Sequence, residues 1–257
     1  MNDPIPIKNL DKKSGVKKKK PINIHLPQIP FSWILIGPSG SGKSNLLLNV
    51  IELYSKHFKP HHRILFSPSI GLDPKTSMIE ADWRYAEFNP EIIESVISQQ
   101  KEIMKKKPKK VPEILIILDD CISEPGAFNQ KGVLEKLFYR CRHFHCSLLI
   151  TSQKYSSLSR GIRLNSKTCS FFRPYNESEK EHILKEHADK RTKDRMSAML
   201  ESVWAKPFHF VQMDYTKLDP MMRYQECLSH FLDMNAFRPA PNKIGRKKDS
   251  VEKYTDD

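Results

Sequence analysis

Long apolar runs are missing from this 257-residue chain. None approaches the roughly 20 residues that a spanning helix needs, which excludes a helical membrane protein. The first residues, Met1-Asn-Asp-Pro-Ile-Pro, hold no signal-peptide apolar core, so an intracellular, soluble protein with no membrane partner is expected. Cysteine is sparse: there are five, an odd number, with no C-x-x-C pair. In this setting a disulfide framework is not expected, and free thiols are. Cys141-Arg-His143-Phe-His145-Cys146 has the composition of a metal site, but it straddles a predicted helix end and strand start, so its side chains do not converge easily. Acidic charge is in deficit. Forty-three Lys and Arg face 30 Asp and Glu, a net charge of +13, with a sequence pI near 9.4 and a mean hydropathy of −0.56. That balance favours a polyanionic partner, either nucleic acid or an anionic surface. The excess sits in runs: Lys12-Lys13, Lys17–Lys20, Lys105–Lys110 and Arg246-Lys247-Lys248. One such run is ordinarily a solvated segment; several of one sign point to nucleic acid or to a nuclear address. No internal repeat is seen.

What is present centres on one stretch. Trp33-Ile34-Leu35-Ile36 reads as a short buried strand. Gly37-Pro38-Ser39-Gly40-Ser41-Gly42-Lys43-Ser44 follows it and fills the G-x-x-x-x-G-K-[ST] pattern in full. Asn45 to Ile51 then reads as helix. Glycines at 37, 40 and 42 let the backbone reach positive φ and approach an anion closely. Successive N–H groups form a concave nest at a helix N-terminus. Lys43 reaches the β- and γ-phosphates, and the Ser44 hydroxyl is placed to ligate Mg²⁺. The stretch therefore predicts a nucleoside triphosphate site that also holds Mg²⁺.

Strands and helices alternate along the rest of the chain. Strands are expected at Arg63–Ser67, at Ile114–Leu118, at Ser147–Gln153 and at Thr168–Phe172. A brief or edge strand is expected at Trp83–Phe88 and an antiparallel edge strand at Phe208–Met213. Helices are expected from Pro90 to about Lys106, over Gly132–Arg142, from Ser178 to about Lys190 and over Asp194–Trp204. The run Ile114-Leu-Ile-Ile-Leu118 does not alternate, as suits a parallel strand covered on both faces. The fold class that follows is α/β: a P-loop NTPase with a largely parallel, RecA-like central sheet flanked by helices. Three parts are expected: a flexible basic arm over residues 1–29, an ATPase domain over 30–235 and a basic, polar tail over 236–257. A short extended piece is expected within the arm at Ile22–Leu26.

In such a sheet, functional groups collect at the carboxyl ends of the strands. Asp119 ends the apolar run, in position to hold Mg²⁺ opposite Ser44. Asp120 stands next to it, placed to orient or polarise an attacking water. Gln153 ends the following strand, where its amide can contact the γ-phosphate or that water. One strand, Arg63–Ser67, comes between the phosphate-loop unit and the Asp119 unit in the chain. That is the pattern of oligomeric ATPases with an additional strand between the Walker A and Walker B strands, and it argues against a nucleotide kinase or small GTPase. The guanine-reading Asn-Lys-x-Asp and the transporter signature Leu-Ser-Gly-Gly are both absent. Arg140, Arg142, Arg160, Arg163 and Arg173 are all open candidates for an arginine finger.

Gly37–Ser44, Ile116-Ile-Leu-Asp-Asp120 and Tyr139-Arg-Cys-Arg-His143 running into Leu148-Leu-Ile-Thr-Ser-Gln153 resemble the FtsK/HerA superfamily. The closest resemblance is to the poxvirus-type genome-packaging ATPases of large DNA viruses, and it spans roughly residues 30 to 215. In that family an Arg precedes the Thr/Ser-Gln strand and is followed by a basic or His residue and an aromatic. Arg142-His143-Phe144 fits, so the resemblance makes Arg142 the trans-acting finger, with Arg140 second. Many members carry Asp-Glu where this chain has Asp119-Asp120.

The resemblance implies a ring-shaped homo-oligomer, a pentamer or hexamer, with ATP at subunit interfaces. It also implies pumping of double-stranded DNA into a capsid, contact with capsid or portal components, and work in a viral factory, in the cytoplasm or nucleus, or on the virion. Lys105–Lys110 would face the DNA through phosphate-directed, salt-sensitive contacts. Two rival readings stand beside it: a related ATPase of replication or conjugation, helicase-like in action, and a nucleotide-binding adaptor to DNA or capsid that does not hydrolyse.

Overall fold

Residues 23–121 and 133–238 are described in a computed structural model. The apolar runs form the middle of one sheet. Its parallel strands are β1 (Ser32–Ile36), β2 (Arg63–Phe66), β3 (Trp83–Tyr85), β4 (Ile114–Leu118), β5 (Cys146–Ser152) and β6 (Thr168–Phe172). Three antiparallel strands extend it: β7 (Phe210–Asp214), β8 (Tyr224–Glu226) and β9 (His230–Phe231). The order across the sheet is β3-β2-β4-β5-β1-β6-β7-β8-β9. The helices are α1 (Lys43–Leu53), α2 (Pro74–Ser77), α3 (Pro90–Lys106), α4 (Val133–Arg140), α5 (Arg160–Asn165), α6 (Glu177–His187) and α7 (Lys193–Trp204).

The continuous apolar strands are explained by two cores, one on each face. Trp33, Leu35, Leu65, Ile117 and Leu149 pack with α1 through Leu46, Leu47 and Val50. Their neighbours Ile34, Ile36, Ile116, Leu148 and Ile150 pack the other way, with Ile93 of α3, Leu137 of α4 and Met196, Met199 and Val203 of α7. With helices on both faces, each central strand buries its side chains on both sides of the pleat. The helix ends also follow the sequence. Asn89 accepts the Glu91 N–H before Pro90 at the first turn of α3. Asn176 accepts the Glu179 N–H at the start of α6.

Several boundaries move. The helix expected to end at Arg142 ends at Arg140, and Cys141–Phe144 tightens into a 3₁₀ turn. The edge strand expected at Phe208 begins at Phe210. Strands β8 and β9 are too short to carry a pattern and went unpredicted. The extended piece expected around Ile22–Leu26 is a turn over its described residues. The Asn23 side chain takes the His25 N–H, and the Leu26 N–H bonds the Asn23 carbonyl. Residues 23–29 pack onto the domain: Leu26 is buried and the Tyr54 hydroxyl donates to the Pro27 carbonyl. The remainder of the expected arm, and the tail from residue 239, lie outside the described residues. All five cysteines are free thiols. Among the described residues no group of three or more His, Cys, Asp or Glu is arranged to hold a metal, so the Cys141–Cys146 stretch forms no such cluster.

Candidate functional site

The register of the sheet decides what meets at its carboxyl edge. Ile36 of β1 pairs with Ser152 of β5, so Gly37 leaves the sheet beside Gln153. Leu118 of β4 pairs with Ile150 of β5 and with Phe66 of β2. One residue further on, Asp119 therefore stands between Ser67 and Thr151.

The glycine loop between β1 and α1 is anchored at both ends. The Gly37 N–H donates to the Ser152 carbonyl at 3.1 Å, and the Leu46 N–H donates to the Gly42 carbonyl at 3.0 Å. Gly40 and Gly42 are left-handed, with φ of 75° and 107°. At Gly37 the constraint is space: a Cβ would meet Phe172 Cβ at 2.6 Å. Helix α1 carries no side-chain cap and no acid in its first turn. Its leading N–H groups are thus open to an anion. Pro38, Ser39 and Ser41 complete the loop, and Ser44 is half-buried in the first turn of α1.

Lys43 is buried, and its Nζ donates to the Pro38 carbonyl at 3.0 Å. Burial lowers its pKa, while the carboxylates of Asp120 and Asp119 act the other way. A cation held inside the loop and drawn toward two acids is poised to receive further negative charge. Asp119 accepts from Thr151 Oγ1 at 2.7 Å and from Ser67 Oγ at 3.2 Å. Burial raises its pKa and Asp120 adds to that; the Thr151 and Ser67 hydroxyls and Lys43 oppose it.

Asp120 is left-handed at φ 49°, a conformation aspartate tolerates. Its N–H donates to Thr151 Oγ1 at 2.9 Å, so one hydroxyl ties both acids to β5. Gln153 Nε2 donates to Asp120 Oδ2 at 3.4 Å. The segment after Gln153 is pinned by Glu179 at the start of α6, which accepts the N–H groups of Tyr155 and Ser156 and the Ser156 hydroxyl.

Lys43, Asp119, Asp120 and Gln153 are thus brought together beside the loop, and Ser44 follows Lys43 in α1. Arg142 is not. It is exposed in the turn before β5, and the seven residues of that strand separate it from the site by about 23 Å. Arg140 lies at the same far end. Arg163 is tied to Glu186, with Nη2 to Oε1 at 2.6 Å. Arg173 lies beside the loop, near Tyr175 and Phe208. The roles of Ser67 and Thr151 were missed from sequence. Each is a polar residue at the end of an apolar strand, but their common target depends on strand order.

A doubly wound, largely parallel sheet carrying this loop after β1 and two acids after β4, with β5 between them, defines the P-loop NTPase class. Within it, the chain belongs to the poxvirus A32 protein family, whose model matches residues 22–206. Protein 015R of Frog virus 3 (isolate Goorha) is 23% identical over 184 residues, which is 72% of this chain; the chain spans 56% of that relative's length. The genome packaging NTPase B204 of Sulfolobus turreted icosahedral virus 2, solved with AMPPCP, aligns with a TM-score of 0.50 at 14% identity, over 79% of this chain and all of B204. The cytoplasmic domain of the Thermomonospora curvata type VII secretion ATPase EccC aligns with a TM-score of 0.53 at 14% identity, over 79% of this chain and 25% of that one. At these identities the two structures share the fold.

Proposed function

We propose that this protein is an ATPase that packages double-stranded viral DNA into a capsid. One observation carries the catalytic part: the junction of Lys43, Asp119, Asp120 and Gln153 at the carboxyl edge, with Thr151 fixing both acids. Family membership and the B204 likeness support the packaging part.

The N–H groups of residues 37–44 bind the phosphate chain, and Lys43 exchanges its Pro38 contact for β- and γ-oxygens. Asp120 orients the attacking water and accepts a proton from it as the water oxygen bonds the γ-phosphorus and the bond to the β–γ bridging oxygen breaks, releasing ADP and phosphate. Gln153, hydrogen-bonded to Asp120, senses whether the γ-phosphate is present. The donor set fits Mg²⁺: Ser44 and Asp119 would hold it through hard oxygen atoms, and Asp119 is a half-buried carboxylate with no lysine or arginine salt bridge among the described residues. When bound, Mg²⁺ offsets charge on the phosphate oxygens.

Arg142 reaches a phosphate only in a neighbouring subunit, which supports a ring homo-oligomer with a shared site. Lys105–Lys107, Lys109 and Lys110 are exposed at the same end of the sheet as Arg140 and Arg142. This basic face suits duplex phosphates. Capsid or portal contacts, and a place in a viral factory or on the virion, follow from the packaging role. No helix among the described residues is long and apolar enough to cross a membrane. The decisive experiment compares ATP hydrolysis with and without duplex DNA over a salt series. Stimulation that falls with salt is expected; hydrolysis indifferent to DNA would overturn the translocase reading. Tight ATP binding with no hydrolysis would favour the adaptor.

A further inference from the structure

The sheet order gives the bound triphosphate a direction. Asp119, Asp120 and Gln153 stand on β4 and β5, on one side of β1. The γ end of the phosphate chain must point there. The nucleoside must then leave the loop on the other side, over β6 and β7. An open cavity of about 340 Å³ lies there. One wall is the glycine loop itself, from Pro38 to Ser41. The others are the exit of β6, with Phe172, Arg173 and Tyr175, and the turn from α7 to β7, with Phe208.

Two aromatic rings of this cavity have no explanation in folding. Tyr175 is 81% exposed, yet its hydroxyl is tied to the Ser39 carbonyl at 3.0 Å, which holds the side chain against the loop. Phe208 is 71% exposed and sits at φ 63°. A bulky residue in that region is strained, and an exposed ring gains nothing from the core to offset it. The ring nevertheless lies next to the loop: a Cβ on Gly42 would be 3.7 Å from Phe208 Cδ1. Flat apolar faces held beside a phosphate site suit a planar aromatic ligand.

The polar lining narrows the chemistry further. Arg173, Lys206 and His209 supply the charged and ring-nitrogen groups; Arg173 lies 3.7 Å from Glu201, and Lys206 and His209 Nδ1 both pair with Glu226, at 2.7 and 2.6 Å. Among the described residues no carboxylate or amide side chain lines the cavity. The exocyclic amino group of adenine finds no carboxylate or amide side chain to accept it, and neither does the N1–H of guanine. Recognition by stacking alone is tolerant, because every base presents a π-face.

We infer that this cavity is the nucleoside subsite, that Tyr175 and Phe208 grip the base by its faces, and that the site distinguishes poorly between purines. The inference rests on the phosphate loop binding a triphosphate. Equilibrium binding of Mg-ATP, Mg-GTP and inorganic tripolyphosphate to the full chain tests both layers. Wild-type protein is expected to bind ATP and GTP within about tenfold of one another. Tyr175→Ala and Phe208→Ala are each expected to weaken both nucleotides about tenfold and to leave tripolyphosphate within about twofold. Phe208→Gly separates ring from strain: it suits the left-handed backbone, so its thermal midpoint should not fall, while nucleotide affinity should fall as in the alanine variant. Unchanged ATP affinity in all three variants overturns the subsite. Equal losses for ATP and tripolyphosphate overturn it too, since the effect would then lie in the loop. A preference above about a hundredfold for one purine overturns the tolerant reading. If the wild type binds neither tripolyphosphate nor nucleotide, the phosphate-loop reading itself fails.

Discussion

Replacing Thr151 by valine removes one hydroxyl and keeps the shape of a β-branched strand residue. The hydroxyl makes two bonds that a methyl cannot: it donates to Asp119 Oδ1 at 2.7 Å and accepts the Asp120 N–H at 2.9 Å. The first involves a charged partner and contributes about 2 kcal/mol; the second is neutral and contributes about 1 kcal/mol. Thr151→Val should therefore destabilise the protein by about 3 kcal/mol, seen as a urea midpoint lowered by about 1 M at unchanged slope. Thr151→Ser keeps the hydroxyl and should stay within about 1 kcal/mol of wild type. The two variants also separate in their pH dependence. Burial already raises the Asp119 pKa, and the Thr151 bond opposes that rise. Without the bond, the carboxyl ionises at higher pH, so the acidic limb of ATP hydrolysis should move upward in Thr151→Val and not in Thr151→Ser. A valine variant with wild-type stability and an unmoved acidic limb would refute the view that this hydroxyl sets both acids.

Arg142→Ala should bind nucleotide like wild type yet lose hydrolysis. Mixing it with Lys43→Ala should restore part of the rate, because a mixed interface can hold an intact loop and an intact arginine; no recovery across mixing ratios would reject a shared site. Gly37→Ala forces a Cβ to 2.6 Å from Phe172 Cβ, so nucleotide binding and about 2 kcal/mol of stability should be lost, measured by titration and by melting. His187 is held between the hydroxyls of Tyr155 and Tyr215, and burial pulls its pKa down to about 4, with Glu186 acting the other way. Between about pH 6.5 and 4 the unfolded state binds the proton and the folded state does not. Stability should therefore fall as pH drops through that window, by about 1–2 kcal/mol at pH 5, and His187→Gln should lose this pH dependence.

The glycine loop was fully legible in the chain. Its chemistry depends on backbone conformations and neighbours within eight consecutive residues, and local sequence specifies those. The parallel sheet was legible for a related reason: a strand covered on both faces has no polar face, and Ile114–Leu118 shows none. Asp119, Asp120 and Gln153 were legible as polar ends of apolar runs. Thr151 as the shared partner of the two aspartates was not, because it takes the pairing of β4 with β5 to bring residues 32 apart together. Helix α4 ended early, and strands β8 and β9 were missed, because tight turns and two- or three-residue strands carry no periodicity.

By itself, then, the sequence determined that a glycine loop sits on a parallel sheet in a basic protein, since each of those properties is local or compositional. Only the tertiary structure decided the rest. It set β5 between β1 and β4, joined Ser67 and Thr151 to one carboxylate, sent Arg142 to the far end of the sheet, and opened a cavity between the loop, Tyr175 and Phe208. Those are consequences of strand order and register, which arise from packing between segments distant in the chain.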